Sequence, residues 1–293
     1  MGAQPLVQPA FSIRQATAED AAVCGQICYE AFHTINQQHN FPPDIPAPEM
    51  ATRIISWMFS NPQFYCVVAE GGGKLIGSNC LDERGPIAGI GPITIDPKEQ
   101  NRGVGRALME AVIDRAHERS FAGVRLVQAA FHARSMSLYS KLGFIIREPL
   151  AVLQGRTKQR KFEGITVRAA AASDVEQCNA LCKRVHGHDR AQELVDGISM
   201  KSAQVAERNG RIVAFTSALA FFGYSVAETN EDLAALIASA DQFGGPGILL
   251  PTRNTELFRW CLENGLTMVE PMTLMTLGLY NEPRGAYLTS VSF

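Results

Sequence analysis

No apolar run in this 293-residue chain approaches the ~18 residues that a membrane-crossing helix needs. Neither sign of charge is in excess: 27 Lys and Arg face 29 Asp and Glu, for a formal net charge of −2. That balance offers no broad field for nucleic acid and no polybasic patch for a membrane, so neither is an expected partner. Met1-Gly2-Ala3-Gln4-Pro5-Leu6 lacks the basic and apolar regions of a secretory signal, and Leu6 stands where myristoylation wants Ser or Thr. Cysteine is sparse and odd in number, seven, with no CxxC spacing. Reduced, mostly buried thiols in a cytoplasmic protein are the expectation. His186-Gly187-His188-Asp189-Arg190 approaches the HxHxDH metal motif, but Arg190 and Ala191 stand where Asp and His belong, so no metal is expected.

What is present fits an ordinary globular core, with 46% hydrophobic and 19% charged residues. The length is about twice the ~150 residues of an average domain. The chain also repeats itself. Arg14, Ala16, Ala18, Asp20, Cys24 and Cys28 match Arg168, Ala170, Ala172, Asp174, Cys178 and Cys182 at an offset of 154. Val68-Ala69-Glu70 and Gly73 match Val205-Ala206-Glu207 and Gly210 at 137, and Gly143 matches Gly265 at 122, with His132 opposite Asn254. Three matches in the same order point to a tandem duplication with a shortened second copy. The expected domains are 1–155 and 165–293, joined by 156–164, a basic stretch without apolar periodicity that reads as a solvated connector.

In the first copy, Thr17 is a plausible helix cap, and Val23, Cys24, Ile27, Cys28 and Ala31 share one helical face. Cys24/Cys28 and Cys178/Cys182 are therefore read as core packing at i, i+4. A hairpin follows, Phe64 to Glu70 and Lys74 to Cys80 around Gly71-Gly72-Gly73. The strand Ile87 to Ile95 is interrupted by Gly89, Gly91 and Pro92, a pattern that predicts a bulge. Then come a helix from Gly103 to Ser120, a strand from Val124 to Ala130, a short helix from Ser135 to Leu142, and a strand pair within Phe144 to Gln154.

The sharpest local feature is Gln100-Asn101-Arg102-Gly103-Val104-Gly105-Arg106-Ala107-Leu108, where a strand passes into a patterned helix. Free N–H groups in a first helical turn and the helix dipole favour anionic oxygen, and glycine lets a phosphate approach the backbone. A GxGxxG dinucleotide fingerprint fails at Leu108, and no GxxxxGK[ST] loop occurs. The remaining pattern, with Leu138-Tyr139-Ser140-Lys141-Leu142-Gly143-Phe144 downstream, resembles the pyrophosphate loop and the Leu-Tyr-x-x-x-Gly-Phe signature of the GNAT acyl-CoA-dependent N-acyltransferases. The resemblance covers about residues 11–155. It implies an α/β fold with a mixed sheet, here two tandem GNAT-like domains.

The resemblance also implies roles. Ile93, Thr94 and Ile95 match the strand end that pairs with the pantetheine arm of acetyl-CoA, the expected co-substrate. Asn101, Arg102, Gly103, Val104, Gly105 and Arg106 match the pyrophosphate loop. Tyr139 matches the tyrosine that protonates the departing thiolate. The family often has Asn seven residues before that tyrosine, and this chain has His132. Backbone N–H groups freed where Gly89, Gly91 and Pro92 break the ladder are candidates to stabilise an oxyanion. For the base, Glu83 is preferred over Asp82. His33 and His39 lie in the segment that covers the acceptor pocket in such folds, and water is a further candidate. Opposite the glycine loop, the second copy has the acidic, glycine-free run Val226 to Leu233, with Cys261 opposite Tyr139 and Leu266 opposite Phe144. That half is expected to bind no acyl-CoA, and Cys261 to be a buried thiol. The expected function is acetyl (or short acyl) transfer to a small-molecule amine or a peptide N-terminus. The alternative is a non-catalytic acyl-CoA sensor or scaffold.

Overall fold

The computed structural model describes residues 11–159 and 161–292. The opening segment Met1 to Leu6, Arg160 of the connector and Phe293 lie outside the described residues. The first half runs β1 (Phe11–Gln15), α1 (Ala21–Gln38), α2 (Pro48–Ser60), β2 (Phe64–Gly71), β3 (Lys74–Asp82), β4 (Ile87–Ile90), β5 (Thr94–Ile95), α3 (Val104–Glu118), β6 (Gly123–Ala129), α4 (Ala133–Lys141) and β7 (Ile145–Gln154). The second runs β8 (Ile165–Ala169), α5 (Val175–His186), α6 (Ala191–Ser199), β9 (Gln204–Arg208), β10 (Arg211–Thr216), β11 (Ser225–Ala227), α7 (Asn230–Ser239), β12 (Ile248–Pro251), α8 (Thr255–Glu263), β13 (Thr267–Gly278) and β14 (Ala286–Leu288). The fold is α/β, with a larger mixed sheet and a five-stranded antiparallel sheet, β14-β11-β10-β9-β8. Among the described residues, no helix is long and apolar enough to cross a membrane.

The alternation of β2 assigns its two faces to two helix layers. Val68 packs with Cys24, Cys28 and Ile55 of α1 and α2, whereas Val67 and Ala69 pack with Val104, Leu108 and Val112 of α3. All seven cysteines are free and buried, Cys24/Cys28 and Cys178/Cys182 within such cores. Val23 departs from the expected face: it is 48% exposed, at the margin of the buried stripe formed by Ala21, Cys24 and Cys28. Thr17 precedes a 3₁₀ turn, Ala18–Asp20, instead of α1 itself.

The duplication is visible atom by atom. Arg14 donates through Nη1 and Nη2 to Asp20 (2.7 and 2.8 Å) and through Nε to Glu70 (3.0 Å). Arg168 repeats this with Asp174 (2.6 and 2.9 Å) and Glu207 (3.0 Å).

The segment expected to hold a strand pair is one strand, β7, and its partner comes from the other half. In the larger sheet the order is β1-β2-β3-β4-β6-β13-β7-β12, so β13 lies between β6 and β7. Thr267 pairs with Gln154 and Thr276 with Ile145, and these four residues are two pairs of duplication mates. The halves thus exchange strands about a local pseudo-twofold axis. Residues 145–154 contain no turn that would fold them back on themselves, so the neighbouring position is open to the equivalent strand of the repeat. The connector is also less free than its charge suggested: Thr157 is buried, and Lys158 N–H donates to Asn264 O (2.8 Å).

Candidate active site

Parallel strands β4 and β6 pair only over Ile87–Gly89 and Gly123–Arg125. β4 then ends, β6 continues to Ala129, and a cleft of ≈ 890 Å³ opens between and beyond them. Gly89 remains in the ladder, paired with Asp82 and Arg125. Gly91 N–H donates to Cys80 O (2.9 Å), and Pro92 has no N–H. Of the residues at this break, Ile93, on the cleft wall between β4 and β5, is therefore the one whose N–H lies outside the ladder.

At one end of the cleft the glycine loop opens α3. Gly103 has φ 84°, a left-handed conformation that glycine adopts without strain, and no side chain caps the helix. The first N–H groups of α3 are thus left without a side-chain acceptor from the chain. Gly105 is small for a different reason: a Cβ there would lie 3.2 Å from Ile95 Cδ1. Thr94, Ile95, Asn101, Gly103, Val104, Gly105 and Arg106 all border the cleft. Arg102 does not, being mostly exposed and paired with Glu99 at 2.6 Å. Arg134 and Lys141 of α4 do, and Arg134 donates to Asn101 Oδ1 (3.3 Å). Sequence reasoning missed both cations, although each shares the short helix that carries Tyr139.

Tyr139 borders the cleft at 6% exposure, against Phe144. Burial alone lifts its phenol above the ordinary tyrosine range, so the group is a held proton at neutral pH. His132 caps α4 and also borders the cleft. Its Nε2 is buried without a hydrogen-bond partner, and burial pulls the ring down to about 4, so it is neutral.

The expected bases lie elsewhere. Glu83 Oε1 accepts from Arg115 Nε (2.8 Å) in a separate hollow that includes Gln15 and Tyr65. Asp82 is gripped by Arg84 Nε (2.9 and 3.0 Å), and Arg84 Nη1 also reaches Asp196 of the second half (2.8 Å). His33 stacks on Tyr29, with 5.4 Å between ring centroids. His39 has its Nδ1 2.9 Å from Ile35 O and its ring on Phe131. The structure brings none of Glu83, Asp82, His33 and His39 to the cleft wall. It brings instead Asp44, from the turn between α1 and α2, with Phe221, Phe222 and Met272 of the second half.

The corresponding place in the second half is closed. Only Glu228 and Thr229 connect β11 to α7, and Thr229 Oγ1 accepts from Asp232 N–H (3.2 Å) at the helix start. β14 pairs with β11, and Thr289 bridges to Leu249 of β12, so the chain fills this opening with its own strand. Cys261 is fully buried, and its thiol is pushed up to about 12. Among the described residues, no three His, Cys, Asp or Glu side chains converge as metal ligands.

Residues 29–144 match the model of the acetyltransferase (GNAT) family. A mycothiol acetyltransferase of Nocardia farcinica is 38% identical over 63 residues, 22% of this chain. The match spans about a fifth (21%) of that relative's length. A crystal structure from Pyrococcus horikoshii, assigned as an acetyltransferase, superposes with a TM-score of 0.72 at 19% identity, covering 98% of this chain and 97% of the other. A tandem GNAT protein from the clavulanic acid biosynthesis pathway gives a TM-score of 0.54 at 13% identity, covering 92% of this chain and 98% of the other.

Proposed function

We propose that this chain, whose residues 29–144 match the GNAT acetyltransferase family and whose fold is shared with tandem GNAT proteins, is a tandem GNAT acetyltransferase, and that its first half, 1–155, transfers an acetyl or short acyl group from acyl-CoA to an amine. The second half, 165–293, binds no acyl-CoA and supplies part of the acceptor wall. One observation carries the reading: the uncapped start of α3, the break after β4 and Tyr139 border the same cleft.

Acyl-CoA supplies the acyl group, activated as a thioester. The residues fit it. The N–H groups at the start of α3, with Arg106, Arg134 and Lys141, receive a pyrophosphate through the helix dipole and charge-assisted hydrogen bonds. Thr94 and Ile95 present strand backbone to a pantetheine arm, and Ile93 N–H serves the oxygen on which charge develops. Tyr139 gives its proton to the departing sulfur, and water takes the proton that the attacking amine gives up. The burial that strengthens its O–H also raises the proton affinity of a thiolate beside it, so the two stay matched. His132, neutral with a buried Nε2, offers a hydrogen bond and no charge.

Calorimetric titration with acetyl-CoA tests the assignment, and one site per chain is expected. Two sites would overturn the silent second half, and none would overturn the co-substrate. Release of CoA thiol with an amine then separates enzyme from sensor: tight binding without turnover on any amine would favour the sensor.

A further inference from the structure

Two carboxyl groups meet beside the acceptor end of the cleft with no basic side chain to answer them. Asp44, which borders the cleft, accepts from Asn36 Nδ2 (3.0 Å), and Asn36 is itself buried. Glu270 stands at a register shift in β13, is 1% exposed, and has no hydrogen-bond partner for its oxygens other than the Asp44 carboxyl. The two carboxyls lie within hydrogen-bonding reach of each other, and each perturbs the other's ionisation. Burial raises both, Glu270 to about 9. Among the described residues, the groups acting on either are only Asn36 and the other carboxyl, with no lysine, arginine or histidine. At neutral pH the pair therefore holds a proton shared between its two carboxyls. A buried acid pair without a counter-charge costs stability, and a cation arriving from outside would remove that cost. The neighbouring wall is apolar, with Phe32, Ile45 and Ile54 from the first half and Phe221, Phe222 and Met272 from the second.

We propose that Asp44 and Glu270 form the cation subsite for the acceptor, which enters as an ammonium on an apolar stem and is recognised by one carboxyl from each half. The inference rests on the acyl-transfer reading for what the bound amine is used for, and it assigns the second half a direct part in choosing it.

The test uses the full chain saturated with CoA, titrated with hexylamine and with hexan-1-ol at neutral pH. Hexylamine is expected to bind at one site at least ten-fold more tightly than the alcohol. Asp44→Asn and Glu270→Gln are each expected to lose at least ten-fold of the hexylamine affinity and to leave hexanol unchanged. Thermal melting of both near-isosteric variants checks that they fold. Equal affinity for amine and alcohol, binding of neither, or undiminished hexylamine binding in either variant overturns the proposal. Acetyl-CoA is titrated separately: its failure to bind would sink the acyl-transfer reading, while the amine result would still judge the subsite.

Discussion

Gly103 and Gly105 differ in why they are glycine, and replacing each with alanine separates the reasons. At Gly103 a Cβ meets nothing within 4 Å, but φ is 84°. Left-handed backbone costs an L-residue about 1–2 kcal/mol, so Gly103→Ala loses that much stability with no steric clash in the empty protein. For a chain of this size that lowers Tm by about 2–8 °C, at roughly 2–4 °C per kcal/mol. The new methyl projects into the open space over the α3 N-terminus, where the pyrophosphate is placed. Gly105 lies in helical backbone, where alanine gains about 0.5–1 kcal/mol. Its Cβ would stand 3.2 Å from Ile95 Cδ1 and 3.6 Å from Leu138 Cδ2, both movable side-chain tips. Gly105→Ala should therefore melt close to the parent. Both variants should bind acetyl-CoA at least ten-fold more weakly by calorimetry, a loss of about 1.4 kcal/mol. The argument fails if both bind acetyl-CoA as the parent does, or if Gly103→Ala melts at or above the parent temperature.

Tyr139→Phe removes a hydroxyl that is perturbed by burial alone, so melting should be unchanged while turnover falls about 10²–10⁴-fold; equal turnover would remove Tyr139 from the chemistry. Glu83→Gln should leave turnover within two-fold, because that carboxylate serves Arg115 away from the cleft; a large loss would restore it as the base. The folded-state pKa of Glu270 lies above its unfolded value of about 4.3, so the protein favours its protonated form. That stability is complete below the unfolded pKa and is lost as pH rises toward about 9. Melting curves across this window should fall less steeply with pH for Glu270→Gln than for the parent, and parallel slopes would contradict the assignment.

Local patterns carried much of the fold. The hairpin around Gly71-Gly72-Gly73, the helix after Gly103 and Tyr139 on a short helix all rest on contacts within a few residues, which periodicity and turn chemistry report. Glu83 and Asp82 stand beside the interrupted strand in the sequence, but Arg115 and Arg84 fix where their carboxylates go. Those partners become visible only after folding. The place of β13 between β6 and β7 was equally hidden, because apolar strands of one duplication offer the same hydrogen-bonding edge. Asp44 and Glu270 follow from that exchange, since neither has a charged neighbour along the chain to mark it as paired.

The exchange also sets a timetable for synthesis. When β6 and β7 leave the ribosome, the strand that must lie between them has not been translated. Roughly 110 residues separate the end of β7 from the start of β13, about 6–22 s at ~5–20 residues per second. During that interval two apolar strands have unpaired edges, the feature that invites pairing with the wrong chain. A nascent first half therefore waits for its sequel, and chaperone dependence should be greatest for chains arrested between β7 and β13.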